Sequence, residues 1–319
     1  MTYSTGNLIQ ATDYNGFVST TVGANINATM NTTYGQTALS TVAAAGTVTA
    51  TQWSTLNANI STMGSHQGTT ITSRTNPVAG NVIAVLANVN ADITSCYTNR
   101  FNAATQGSQY TAWTGTASKT TGTGSGTAAW TITFTNTVTF ANTNAASNFF
   151  NSGGLIKTQF SKTSTGTAQD TQWNSFIGNV CGTIFLSSTA ASKTLSGNTY
   201  TGTTKVGGNG TPTTLTTSTG FAQLTSSPVT IYKQFAVGSP YSSNFVQVNA
   251  SVSGAVLTLT TLWSDAGDPF GAAITGGTAT TGITFGTAPA TVVTYFPPET
   301  TYLANTWGSI SIAGTSSGS

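Results

Sequence analysis

The sequence predicts a mainly β protein: an antiparallel β-sandwich or jelly-roll-like C-terminal domain preceded by an N-terminal α-helical region. Three observations carry this. The chain is rich in Thr, whose branched Cβ suits a pleated strand, and holds 35 Gly to supply turns. Up to about residue 105 apolar residues recur every three or four positions, and beyond it short runs alternate apolar with polar at a period of two. Aromatic residues make up 10% of the chain and are scattered along it, enough to order a protein with only 4% charged residues. A length of 319 residues favours two domains, placed at 1–105 and 106–319.

In chain order, the first helix follows Thr12 and Asp13, either of which can cap it, and runs through Tyr14, Phe17, Val18 and Val22 toward Ile26. A second, capped by Thr49 or Thr51, places Trp53, Leu56, Ile60 and Met63 on one face and stops at Gly64. In a third, between Asn81 and Arg100, residues Val82, Leu86, Val89, Ile93 and Cys96 alternate spacings of four and three, a short heptad seam. Asn88, Asn90, Thr94 and Ser95 occupy the opposite face, so the seam packs either on neighbouring helices or on the same helix of other subunits. A seam this short holds no oligomer unaided.

A Gly, Ser and Thr-rich spacer from Thr114 to Thr127 leads into the strands. Trp130, Ile132 and Phe134 share one face, followed by Val138 and Phe140. Further strands are expected over 154–161, 182–188, 221–226, 229–237, 245–252 and 255–263, the last two joined as a hairpin through Ser253 and Gly254. Segments 282–285, 292–296 and 307–312 complete the set. Brief helices are expected over 141–150 and 168–179, and 196–217 reads as a long exposed loop.

The charge content is far below the roughly 25% of ordinary soluble domains. Eight basic residues against six acidic ones, spread thinly, cannot build the dense stripe that neutralises phosphates, which argues against a nucleic-acid partner. No apolar run is long enough to span a membrane, and the start carries no signal-peptide pattern. A surface with so little charge should be indifferent to ionic strength, as suits exposure to an uncontrolled medium. Cys96 and Cys181 lack any CxxC spacing and are expected as free, buried thiols.

Chemistry-bearing residues are few. His66 is the single imidazole, placed just after a helix, with no nearby ligand partner and no nucleophile-elbow pattern. The one close acidic pair, Asp265 and Asp268, sits in a Gly and Pro turn; it is the only candidate metal site, a weak calcium one at best, since Ca²⁺ wants six to eight oxygens. The Gly-rich runs Thr121–Gly126 and Gly207–Gly210 lack a phosphate-binding Lys. No catalytic residues and no cofactor are therefore expected, and the chain reads as non-enzymatic. Trp113, Tyr241 and the 196–217 segment are the places where a glycan-binding surface is expected if there is one.

Two stretches resemble structural proteins of tailed bacteriophages, particularly contractile-tailed phages of marine bacteria and cyanobacteria. The first comprises Ala11–Phe17, Tyr34–Gln36, Thr49–Trp53 and Ser65–Gly68; the second is Ala145–Ile156, with its Asn-Phe-Phe-Asn-x-Gly-Gly core, plus Gln172–Asn174 and Gly182–Phe185. The resemblance implies a virion setting and carries over no active site. With it come expectations of a tail, baseplate, neck or fibre component, assembled in host cytoplasm as a homo-oligomer, preferably a trimer, with other virion proteins. A receptor- or glycan-binding adhesin touching host surface glycan and a capsid decoration protein are the alternatives. Within the motif, Phe149 and Phe150 are expected to plug a core while Gly153 and Gly154 allow the turn into the strand at Leu155.

Overall fold

The computed structural model describes residues 10–19, 23–78, 86–116, 130–163, 168–238, 241–266 and 289–318. Val82, Asp268 and the strand expected at 282–285 lie outside them. Described strand content exceeds helix, and the antiparallel sheets form a sandwich-like arrangement after an N-terminal helical region.

The helical region comprises α1 (Ala11–Val18), α2 (Ile26–Met30), α3 (Ala50–Gln67) and α4 (Leu86–Thr98). Three expectations are corrected here. The first helix does not run on to Ile26: it ends at Val18, and Ile26 opens a separate helix. Asp13 is not its cap but the third residue, accepting from the Gln10 backbone N–H at 3.0 Å, a reach-back that favours an acidic side chain in the first turn. The second helix passes through Gly64 and stops at Gly68, which takes the left-handed φ of 65°. Gly64 is needed for close approach instead, since a Cβ there would lie 2.9 Å from the Ile71 side chain. Thr49 caps α3 as expected, with Gln52 bonding back to the Thr49 N–H at 2.8 Å.

These helices bury a common core. Tyr14 and Phe17 meet Trp53 edge-on at 5.8 and 6.0 Å, and Leu56, Ile60 and Met63 join Val89, Ile93 and Cys96. The α4 seam thus packs within the chain. Arg74 and Asp92 form an ion pair beside it, and Asp92 also accepts from the Thr72 N–H.

The β-region runs β1 (Tyr110–Thr116), β2 (Trp130–Thr139), α5 (Thr143–Asn151), β3 (Leu155–Ser161) and α6 (Ala168–Ser175). A π-helical turn (Phe176–Cys181) and β4 (Thr183–Leu186), β5 (Ser192–Leu195), β6 (Asn198–Thr201), β7 (Thr203–Val206) and β8 (Thr214–Leu215) follow. β9 (Val229–Phe235), β10 (Phe245–Ser253), β11 (Val256–Asp265), β12 (Ala290–Phe296) and β13 (Ser311–Gly318) complete it. Among the described residues one sheet has the order β1-β12-β3-β4-β7, the other β13-β2-β11-β10-β9-β8, and β5-β6 form a separate hairpin.

Alternation explains the core. Trp130, Ile132, Phe134 and Val138 on β2 point inward with Leu257, Leu259 and Trp263 on β11, against Val293 of the facing sheet. The strands β1 and β13, at the ends of the two sheets, meet where the Ser316 hydroxyl donates to the Thr116 carbonyl at 3.0 Å. The β10–β11 turn is the expected hairpin, closed by Ser253 opposite Val256 with Gly254 at φ 58°.

Several β-region expectations are corrected. Segment 196–217 is not a long loop: Gly197 and Gly202, at φ 76° and 50°, turn it into β6, β7 and β8, strands without apolar alternation because Thr occupies both faces. Segment 221–226 holds a 3-10 turn at Phe221–Gln223 instead of a strand. The last strand starts at Ser311, so Trp307 is a loop residue that anchors the core by burial. β1 itself lies where the boundary and spacer were expected. Its register slips between Thr111 and Trp113, a bulge that sets Tyr110 opposite Tyr295 and Trp113 opposite Val293, both on the core face. A spacing of three puts residues on opposite faces of a regular strand, so no period of two exposes this pattern.

Candidate functional site

A groove of about 510 Å³ opens where β1 begins and β12 ends. Its aromatic wall is Tyr110 and Tyr295, directly paired across the ladder and stacked with ring centroids 5.2 Å apart and planes 9° from parallel. Tyr295 is half-buried, backed by Phe149 at 6.4 Å, while Tyr110 stays 53% exposed. Burial, and secondarily the neighbouring Tyr110, raise the Tyr295 phenol above its ordinary value, so that ring presents a neutral hydroxyl.

The opposite wall is the connection from Pro297 to Ile310, and its course follows from two buried anchors. Leu303 inserts into the helical core that also holds Trp53 and Ile93, and Trp307 inserts into the sandwich core. Polar clamps reinforce both: the Gln36 side chain exchanges two 3.0 Å hydrogen bonds with the Ala304 backbone, and the Thr306 hydroxyl donates to the Tyr34 carbonyl at 2.7 Å. The connection is joined to the segment just before β1 by an isolated bridge between Gln106 and Pro298 and by the Gly107 N–H donating to the Pro297 carbonyl at 3.1 Å. Gly107 is required there, since a Cβ would sit 2.6 Å from that oxygen. The groove is therefore held open by fixed elements.

Polar groups converge on it. Glu299 is the carboxylate among the lining residues; its Oε1 accepts from the Thr300 N–H at 2.9 Å and the Thr301 hydroxyl at 3.1 Å. Ser108, Ser309 and the Asn305 amide complete a neutral hydrogen-bonding rim, and among the described residues no basic side chain lines the groove. Behind the site Lys157 donates to the Gln109 side chain at 2.5 Å and lies 5.3 Å over the Phe296 ring.

The residues singled out in the sequence fall elsewhere. Phe149 and Phe150 are fully buried and edge-on to each other at 5.0 Å, and Phe150 stacks on Phe221 at 4.4 Å. Gly153 adopts φ 112° against Ala103, and a Cβ at Gly154 would meet the Phe149 ring at 2.6 Å. Leu86 opens α4, and Val89, Ile93 and Cys96 face the helical core. Asp265 is buried and accepts from the Trp173 indole N–H at 2.8 Å and the Asn244 amide at 2.9 Å. Its intended partner Asp268 lies outside the described residues. Among the described residues no cluster of three or more His, Cys, Asp or Glu is placed to hold a metal ion.

His66 is not past the helix but inside its last turn, buried, with its ring edge-on to Tyr34 at 5.1 Å. Burial and the nearby Lys193 lower its pKa to about 4, so the imidazole is neutral. Trp113 is not an exposed platform: it lies 6.4 Å from Phe134, and Cβ atoms built on Gly115 and Gly314 would strike its ring. Cys96 and Cys181 are free and buried, their thiols pushed up to about 12 by burial. Tyr110, Tyr295 and Glu299 were not singled out from the sequence. The Tyr-Phe-Pro-Pro-Glu run at 295–299 is the one local signal that an aromatic strand ends in a rigid polar turn there.

Among the described residues, no helix is long and apolar enough to cross a membrane. Comparison of the chain with protein-family models, with curated proteins and with solved structures returns no match.

Proposed function

We propose that this chain is a non-enzymatic structural component of a tailed-phage virion, in the tail, baseplate, neck or fibre, assembled from copies of itself with three-fold symmetry and from other virion proteins. The observation that carries this reading is the fate of its charge. The chain has eight Lys and Arg and six Asp and Glu, and Asp92, Lys157, Lys162, Asp170, Lys193 and Asp265 are buried. The solvent face is thus poorer still in charge than the composition, which makes its stability indifferent to salt. Two cores joined by the Leu303 and Trp307 anchors support a rigid building block, and closed symmetric assemblies are the common way such blocks associate. The phage-like motif around Asn148–Gly154 points the same way.

The test is a mass-spectrometric inventory of purified particles of the phage that encodes the chain, with antibody labelling in electron micrographs. Particles that contain the chain at a fixed stoichiometry support the reading. Particles that lack it overturn the reading.

A further inference from the structure

The stacked tyrosines and the polar rim beside them form a site of a particular chemical kind. We infer that the groove between β1 and the Pro297–Ile310 connection binds a neutral saccharide, with a pyranose ring against Tyr110 and its hydroxyls on Glu299 and Asn305.

Each part of the site matches such a ligand. A sugar ring has an apolar C–H face and a girdle of hydroxyls, so it needs a flat aromatic surface next to donors and acceptors. Tyr110 supplies exposed aromatic surface at the groove, and its stacking on Tyr295 fixes the ring before any ligand arrives. Glu299 accepts two hydrogen bonds through Oε1, within the chain, and a carboxylate has acceptor capacity for more than two. Bonds from sugar hydroxyls to that anion are the stronger, charge-assisted kind. Asn305 accepts from the Gly308 N–H at 2.8 Å through Oδ1, which orients its amide and leaves the NH₂ group as a donor.

The same inventory disfavours other ligands. With no Lys or Arg among the lining residues and a carboxylate present, phosphate, nucleic acid and acidic sugars meet a repulsive site. A proline-rich peptide also docks on paired aromatic rings, but polar side chains make up much of this rim, where such a peptide offers few donors. The volume of about 510 Å³ suits one or two sugar rings.

The experiment uses the full chain, an array of neutral oligosaccharides (hexoses and N-acetylhexosamines), sialylated and sulfated counterparts and a proline-rich peptide, followed by titration calorimetry on hits and on the corresponding monosaccharides. Binding to a neutral glycan is expected, weakened about tenfold or more by Tyr110→Ala, the loss of one aromatic contact. Glu299→Gln should weaken it too. Tyr302→Ala removes a 43% exposed tyrosine of the same connection that does not line the groove, and should leave binding unchanged. Unchanged thermal unfolding of each variant separates lost contact from lost fold. If oligosaccharides bind and monosaccharides do not, the ligand is a polymer such as a surface polysaccharide; if both bind alike, one ring suffices. Preference for the acidic glycans or the peptide, binding indifferent to Tyr110→Ala, or no binding at millimolar concentration overturns the inference. The virion reading is judged on particle composition alone, so either can fail without the other.

Discussion

The Lys193 ammonium donates a 2.7 Å hydrogen bond to the carbonyl oxygen of Phe150 from a position with no solvent exposure. It stands at the junction between the helical region and the sandwich, near His66, with Ala103 bridged to Leu195 alongside. Burial lowers its pKa from 10.5 to about 7, and that of His66 from 6.5 to about 4.

Both shifts act in the same direction on stability. Between about pH 7 and 10.5 the unfolded chain holds more protons at Lys193 than the folded one, so the Lys193 contribution to stability rises with pH across that window. His66 adds a second rise between about pH 4 and 6.5, and acidification destabilises through both. Urea midpoints should climb with pH from about 4 to 9, above which the raised Cys96 and Cys181 thiols act in the opposite direction, and Lys193→Met should flatten the alkaline limb between about pH 7 and 9. An alkaline limb of the same slope in the variant would show that Lys193 is not the titrating group.

Phe150 is stacked on Phe221 at 4.4 Å and lies 5.9 Å from Phe140. Phe150→Ala should cost about 3–5 kcal/mol, the usual range for deleting a fully buried ring. Phe150→Leu, which keeps much of the volume, should cost clearly less. Equal losses by chemical denaturation would mean that the cavity is not what matters.

Asp265 closes β11 with its carboxylate turned inward onto Trp173 and Asn244. Asp265→Ala strips an acceptor from two buried donors, and about 1–3 kcal/mol is expected for each. Intrinsic tryptophan fluorescence should shift with the change, because the Trp173 ring stacks on Trp263 at 5.6 Å. A variant with unaltered unfolding midpoint and spectrum would contradict this role.

Gly314 on β13 faces Trp113. A Cβ at that position would stand 2.3 Å from the indole and 2.5 Å from the Asn136 amide, so Gly314→Ala should destabilise by about 1–3 kcal/mol. Combining it with Trp113→Leu should restore part of the loss, which thermal unfolding of the single and double variants can measure.

Local patterns were legible wherever one side of an element is buried along a regular period. β2, β10 and β11, the α3 cap at Thr49 and the fold class follow from periodicity and capping, because period-two alternation and the reciprocal Thr49–Gln52 bonds are properties of neighbouring residues. The candidate site was not legible for the converse reason. Tyr110 and Tyr295 are far apart in sequence and meet only through the β1–β12 ladder, and the bulge near Thr111 hides the period that would have marked β1. The strands in 198–215 show no apolar alternation, so they exist by pairing and by the turns at Gly197 and Gly202. Burial of Lys193, Asp265 and Trp307 is likewise a matter of long-range packing: a charged or loop residue enters a core only when distant partners surround it, and no window of neighbouring residues records those partners.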